Sequence, residues 1–315
     1  RAQRNIPSLL EEAAARFPQR KAYEDETCSM TFSEVRRLAA SIGTGIAALE
    51  NPGRPVAVFM EKSVWMAVSL LGVSCGGCIY CPVDVAMPKA RMDRILSVLE
   101  PAAVLTSGSM GARAREACGN CPVLLVEDLA ARPADEALLA SLRARIKSSD
   151  PLYILFTSGS TGMPKGVVGT HQTVLNNLEW LASRFDLGPD DVLGNQAPLH
   201  FVVADHDLYC PLKFGCSSFF IPAGYFSFPA KLIPLLNQHR VTTVFWVPFA
   251  LGTIASLRAL DEILPEFLRY VFFVGEVMPV RQLNYWREHV PSAHYINLYG
   301  STEMYMCCYY EVDRE

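Results

Sequence analysis

Residues 157–166, Thr-Ser-Gly-Ser-Thr-Gly-Met-Pro-Lys-Gly, gather four hydroxyls, three glycines and a lysine. A loop of this composition can turn backbone N–H groups and hydroxyls toward one anion, while the lysine adds a mobile positive charge. That is the chemistry of a polyphosphate grip. A Walker loop is excluded by spacing, since it needs Gly-Lys-Ser/Thr after four intervening residues. Here Met163 and Pro164 precede Lys165, and Gly166 follows it. By composition alone the cluster reads equally as a solvated loop between two strands. Leu152 to Phe156, just upstream, has the length and bulk of a buried strand.

A second concentration is Asn297-Leu298-Tyr299-Gly300-Ser301-Thr302-Glu303. It holds an amide, an aromatic ring, hydroxyls and a carboxylate, yet alone it reads as a turn with a helix cap. Gly275-Glu276-Val277, after the apolar run from Tyr270, reads alone as an ordinary strand-to-helix turn. Residues 157–166 match, without a gap, the phosphate loop of the adenylate-forming superfamily. Residues 297–303 resemble that family's Asn-x-Tyr-Gly-x-Thr-Glu motif, with Ser301 where many relatives have proline. The superfamily includes acyl-CoA synthetases, luciferases and nonribosomal peptide synthetase adenylation domains.

The resemblance implies ATP and Mg²⁺ as cofactors. Thr157, Ser158, Gly159, Ser160, Thr161, Gly162 and Lys165 would surround phosphate, and Gly275, Glu276 and Val277 would lie along the adenine. Asn297 would meet the adenine edge and Tyr299 would stack on it, with Leu298, Gly300 and Ser301 completing the turn. Thr302 would reach the α-phosphate and Glu303 would hold Mg²⁺ beside phosphate oxygens. The implied reaction is attack by a carboxylate oxygen on the α-phosphorus of ATP, giving an acyl-adenylate and pyrophosphate. Thr157, Lys165, Thr302 and Glu303 would carry it by positioning and by neutralising charge, without a protein nucleophile.

Ala197 to Tyr209 resembles the family's substrate-pocket segment, with one departure. Relatives that activate α-amino acids usually place an aspartate directly after the phenylalanine; here Val202 follows Phe201. An ammonium buried without a counter-charge costs several kcal/mol. The acid therefore lacks an α-amino group, or the counter-charge lies elsewhere. Asp205 is the substitute at hand, although a carboxylate there also suits a helix start. His200, as a gate, and Val203, His206, Trp246, Phe272, Val274, Leu298, Met306 and Cys307 are further pocket positions by resemblance. They are mostly apolar and several are bulky, which favours a small or flat acyl group.

These residues need a scaffold, and the chain supplies alternating patterns for it. Capping boxes at Ser8–Glu11 and Thr31–Glu34 open two helices. Strand patterns then alternate with helical ones from Val56 to Leu298, which argues for an α/β fold with mainly parallel sheets covered on both faces. The two halves resemble the paired α/β subdomains of the adenylate-forming large domain, with residues 1–150 as the first part. Residues 151–315 would carry the phosphate loop and the second subdomain. Relatives continue with a ribose-binding aspartate, a hinge and a small mobile domain, none of which is found here.

Composition bounds the remaining readings. At 315 residues and 50% hydrophobic content the chain can bury a large core. Its net charge of -4, with neither sign clustered, gives nucleic-acid binding no support. Residues 63–83 carry no charge, but Gly76-Gly77 and Pro82 break the run into a buried helix and a short strand rather than a membrane span. Cys75, Cys78 and Cys81, with Cys118 and Cys121, read as small buried thiols rather than zinc ligands. Ten cysteines in a chain of this length, with no secretion signal, fit a reducing cytoplasm. Gly275 to Pro279, Phe226 to Pro229 and Asn284 to Glu288 resemble the peptide-synthetase and D-alanine–carrier-ligase branch. The acceptor would then be a carrier-protein phosphopantetheine thiol, and the substrate a small carboxylic or amino acid. An acyl-CoA synthetase-like ligase and a non-catalytic adenylate-binding module are the alternatives.

Overall fold

The computed structural model describes residues 5–119, 121–157 and 163–312, in two compact units. Residues 1–20 and 30–183 form the first, and 21–29 with 184–315 form the second. The break therefore falls after Ser183, not at the expected 150/151. Strand Pro151–Thr157 joins the first unit's sheet, with Tyr153 in register with Tyr80, and pairs antiparallel with Lys165–Thr170. Helix His171–Arg184 follows, and Nδ1 of His171 accepts the N–H of Ile6 at 3.1 Å. Ser148 to Pro151 is thus a turn within a unit.

The first unit's six-stranded sheet runs Val123–Leu125, Ala103–Thr106, Pro55–Phe59, Ile79–Pro82, Pro151–Thr157, Lys165–Thr170, parallel except for the last pair. Its central strands are buried almost throughout, as apolar runs without alternation should be in a parallel sheet covered on both faces. The charge-free stretch divides into helix Val64–Cys75, capped by Ser63, and strand Ile79–Pro82. No helix among the described residues is long and apolar enough to cross a membrane.

The two capping boxes have different outcomes. Thr31 and Glu34 bond reciprocally at the start of Phe32–Ala47, and the backbone N–H of Thr31 lowers the Glu34 pKa. The Ser8–Glu11 box does not form. Pro7 needs no intrahelical partner for its nitrogen and sits in the first turn of Ile6–Arg16, so Asn5 becomes the cap and its side chain accepts Ser8 N–H at 2.9 Å. Glu11 instead pairs with Arg36 and Arg143 at 3.1 and 3.0 Å.

The second unit is built on seven strands, ordered Tyr305–Glu311, His294–Ser301, Tyr270–Phe273, Thr243–Trp246, Val192–Asn195, Ser217–Phe220, Lys21–Glu24. It is parallel from His294–Ser301 across to Lys21–Glu24, and Tyr305–Glu311 runs antiparallel at the edge. Helices Pro229–Gln238, Pro248–Ser256 and Val280–His289 contribute to one core with Val244, Trp246, Val271 and Phe273. Phe245 and Phe272 alternate to the opposite face, where Phe185 meets Phe272 edge-on at 4.9 Å.

Candidate functional site

The site residues of the second unit are held by three neighbouring strand ends. Phe273 and Asn297 are register partners in a parallel pair, so the chain leaves both strands at the same edge. One exit is Gly275-Glu276-Val277. Gly275 has φ +98°, in the left-handed region that glycine enters without the Cβ clash of other residues. Glu276 is not simply solvated, because its Oε2 accepts the N–H of Phe249 at 3.1 Å in the first turn of Pro248–Ser256. The other exit is a tight hairpin from Ser301 to Tyr305, with Met304 N–H bonded to the Ser301 carbonyl at 3.2 Å.

Together the two exits line a cavity of about 670 Å³, whose walls include Gly275, Glu276, Val277, Asn297, Tyr299 and Gly300. Two stretches singled out separately by sequence thus share one concavity. Tyr299 is 70% exposed, so one face of its ring is free to meet a ligand in this cavity. Gly300 lies where the hairpin register shifts, and a Cβ there would collide with the Tyr305 carbonyl, so no other residue fits this turn unmoved. Thr302 is half-buried at the tip, and Glu303 is exposed, without an ion pair among the described residues. A single open carboxylate suits Mg²⁺, which keeps several waters and takes one or two carboxylates beside substrate phosphate. No group of three or more His, Cys, Asp or Glu capable of holding a metal occurs among the described residues.

The opposite face of the same strands carries the expected acyl-pocket residues. Val202–Ala204 is a short 3₁₀ turn leading into helix Asp205–Phe214, which buries both Asp205 and His206. The His206 ring is 1% exposed and stacks on Phe245 at 4.2 Å and 11°; Phe245 stacks on Phe272 at 4.4 Å and 4°. Nδ1 of His206 lies 2.9 Å from the Val203 carbonyl, so this nitrogen carries the proton and donates it. Burial lowers the His206 pKa to about 4, and the ring is neutral at pH 7. Val274 and Leu298 are buried, and Met306 lies opposite Gly300. Cys307 has no cross-strand partner in the register and its Sγ reaches the Tyr299 carbonyl at 3.4 Å. The gate residue His200 is half-buried, 4.5 Å from the exposed ring of Phe201.

Trp246 does not belong with this group. It pairs with Phe273, packs edge-on against Phe226 and donates its indole N–H to the Gly194 carbonyl at 2.7 Å, all within the helix-covered core. Side chains alternate along a strand, so a shift of one residue moves a side chain to the other face. Phe245 occupies the position expected of Trp246. Sequence reasoning also missed Tyr305, which is buried with its ring 5.6 Å from that of His206. Its φ of +59° is rare for an aromatic residue, and no sequence signal marks it.

In the first unit, Thr157 ends its strand in register with the exposed Lys165. Ser158, Gly159, Ser160, Thr161 and Gly162, between them, lie outside the described residues. Of the cysteine series, Cys78 and Cys81 are buried and Cys75, Cys118 and Cys121 half-buried; desolvation chiefly pushes the Cys75 thiol up to about 12 and Cys78 to about 11.

Two mainly parallel α/β units, one with a cavity at its strand ends, fit the class of α/β proteins that bind ligands where strands end. The residues identify which one: 10–315 match the AMP-binding enzyme family, and the chain belongs to it. It is 31% identical to an L-proline--[L-prolyl-carrier protein] ligase of Streptomyces coelicolor over 91% of this chain and 57% of that protein. A Pseudomonas fluorescens protein of the same name is 28% identical over 95% of this chain and 61% of its own length. The chain therefore spans about three-fifths of these relatives. Among solved structures, the nonribosomal peptide synthetase FmoA3 superposes with a TM-score of 0.87 at 25% identity, covering 99% of this chain and 33% of that one.

Proposed function

We propose that the protein containing this chain activates a small carboxylic or amino acid with ATP and passes it to a carrier-protein phosphopantetheine thiol. A carboxylate oxygen attacks the α-phosphorus and pyrophosphate leaves; the thiolate then attacks the acyl carbonyl and AMP leaves. The observation that carries this reading is the cavity shared by Gly275–Val277 and Asn297–Gly300, with the amide of Asn297 and the exposed ring of Tyr299 in its lining. Asn297 reads the adenine edge, Tyr299 covers its face, and Thr302 approaches phosphate. Glu303 holds Mg²⁺, which neutralises phosphate charge when bound. Thr157, Lys165 and the hydroxyl-rich residues between them serve the triphosphate, a role resting on their sequence alone.

The names of the prolyl-carrier ligases favour a carrier protein over free coenzyme A as acceptor. All ten cysteines are free thiols, which suits a reducing cytoplasm. The test is ATP–pyrophosphate exchange by the longer protein that contains this chain. Exchange should require Mg²⁺, fall at least a hundredfold in Lys165→Ala and respond to Glu303→Gln chiefly through its Mg²⁺ dependence. ATP binding without exchange for any acid would leave a non-catalytic adenylate-binding module.

A further inference from the structure

His206 has two ring nitrogens, and only one of them is used. Nδ1 donates to the Val203 carbonyl, whereas Nε2 is buried and has no hydrogen-bond partner among the described residues. The ring cannot easily turn to find one, because it is held flat against Phe245, which is itself stacked on Phe272. With Nδ1 protonated, Nε2 is a buried lone-pair acceptor. Leaving such an acceptor unmade costs about 1–3 kcal/mol. A histidine used only for packing would be replaced by phenylalanine without that cost. The tilted Tyr305 ring lies 5.6 Å away, on a backbone with φ +59°. This residue directly follows the Ser301–Met304 turn, so the hairpin sets where its ring stands beside the imidazole.

Resting on the ligase reading above, we infer that the acid selected by this protein carries a hydrogen-bond donor on its side chain, and that Nε2 of His206 accepts it. His206 is then a specificity-determining residue, acting through the ring nitrogen that its own packing leaves without a partner. A site built to bond a donor rejects the isostere that lacks it, because the protein's own acceptor is then left unmade. An acid ending in a hydroxyl is therefore preferred to the same acid ending in a methyl.

The experiment is pyrophosphate exchange by the longer protein with matched hydroxyl and methyl acids. Suitable pairs are threonine and valine, serine and 2-aminobutyrate, 3-hydroxybutanoate and 3-methylbutanoate, and 4-hydroxybutanoate and pentanoate. In at least one pair the hydroxyl acid should have a kcat/KM at least tenfold above its partner. His206→Phe, which keeps the stack but removes the acceptor, should bring that ratio to about one, and His206→Gln should hold part of it. Equal or better use of every methyl acid by the unaltered protein overturns the inference, as does a ratio indifferent to His206→Phe. If that variant does not fold, ¹⁵N NMR of the unaltered protein decides: the Nε2 resonance must move with the hydroxyl acid and stay with the methyl acid. Absence of exchange with every acid, despite ATP binding, sinks the ligase reading instead.

Discussion

At the scale of single residues, the proposed nucleotide cavity depends on one ring and two glycines. Tyr299 is the only aromatic side chain in the 297–303 stretch, and its exposure leaves a face open for a base. Stacking of a base on an aromatic side chain is worth about 1–3 kcal/mol by alanine substitution. Tyr299→Ala should therefore raise the Kd for ATP between about 5-fold and 150-fold, read by titration calorimetry. Its effect on stability should be small, since the ring buries little. Gly275→Ala should act the other way round. A Cβ there meets only Val247 at 3.9 Å, so space is not limiting, but φ +98° is strained for any L side chain. About 1–2 kcal/mol of stability should go, measurable by urea unfolding, and the loop should relax out of contact with a ligand. The two stretches that line the cavity were legible in the sequence because motif order is a local property. Tyr305 was not, because a positive φ at an aromatic residue is imposed by the hairpin around it.

At the scale of elements, the sequence reveals strands more readily than their edges or register. The buried parallel strands announce themselves as apolar runs, as Pro55–Phe59 and Ala103–Thr106 do. Lys21–Glu24, Lys165–Thr170 and Tyr305–Glu311 mix exposed and buried positions, so no run marks them; cross-strand bonding defines them. Register is the harder quantity, and it decides the acyl side. Phe245 and Trp246 are adjacent, bulky and buried, and only pairing with Phe272 and Phe273 tells their faces apart. The two should therefore separate experimentally. Trp246→Ala removes a core side chain and orphans the Gly194 carbonyl, costing about 3–5 kcal/mol in urea unfolding while leaving the preference among acids unchanged. Phe245→Ala should cost a comparable amount but also shift preference toward larger acids, because it removes the support under His206. Equal changes in acid preference for both variants would contradict the assigned faces.

Over the whole molecule, the two units share an acid-sensitive feature of one physical kind. His171 in the first unit and His206 in the second are both buried, and desolvation holds each pKa near 4 against an ordinary value of 6.5. The native state keeps these rings neutral, while the unfolded chain protonates them below about pH 6.5. The unfolded state therefore binds more protons between pH 6.5 and about 4, and stability must fall as the pH drops through that window. Above pH 6.5 the two groups contribute no slope, and below about 4 their loss is complete. Each contributes about 2 kcal/mol of loss between pH 6.5 and 5, before most carboxylates titrate. For His171 the loss has a visible route, because protonating Nδ1 breaks the bond it accepts from Ile6 N–H at the start of the first helix. Urea unfolding at pH 7.5, 6 and 5 should show the decline. His171→Gln, which keeps an acceptor but cannot titrate, should flatten it for the first unit alone. His206→Gln should do so for the second. A stability profile level from pH 7.5 to 5 would mean that both rings reach solvent, and the neutral, proton-poor Nε2 on which the acyl selectivity depends would go with it.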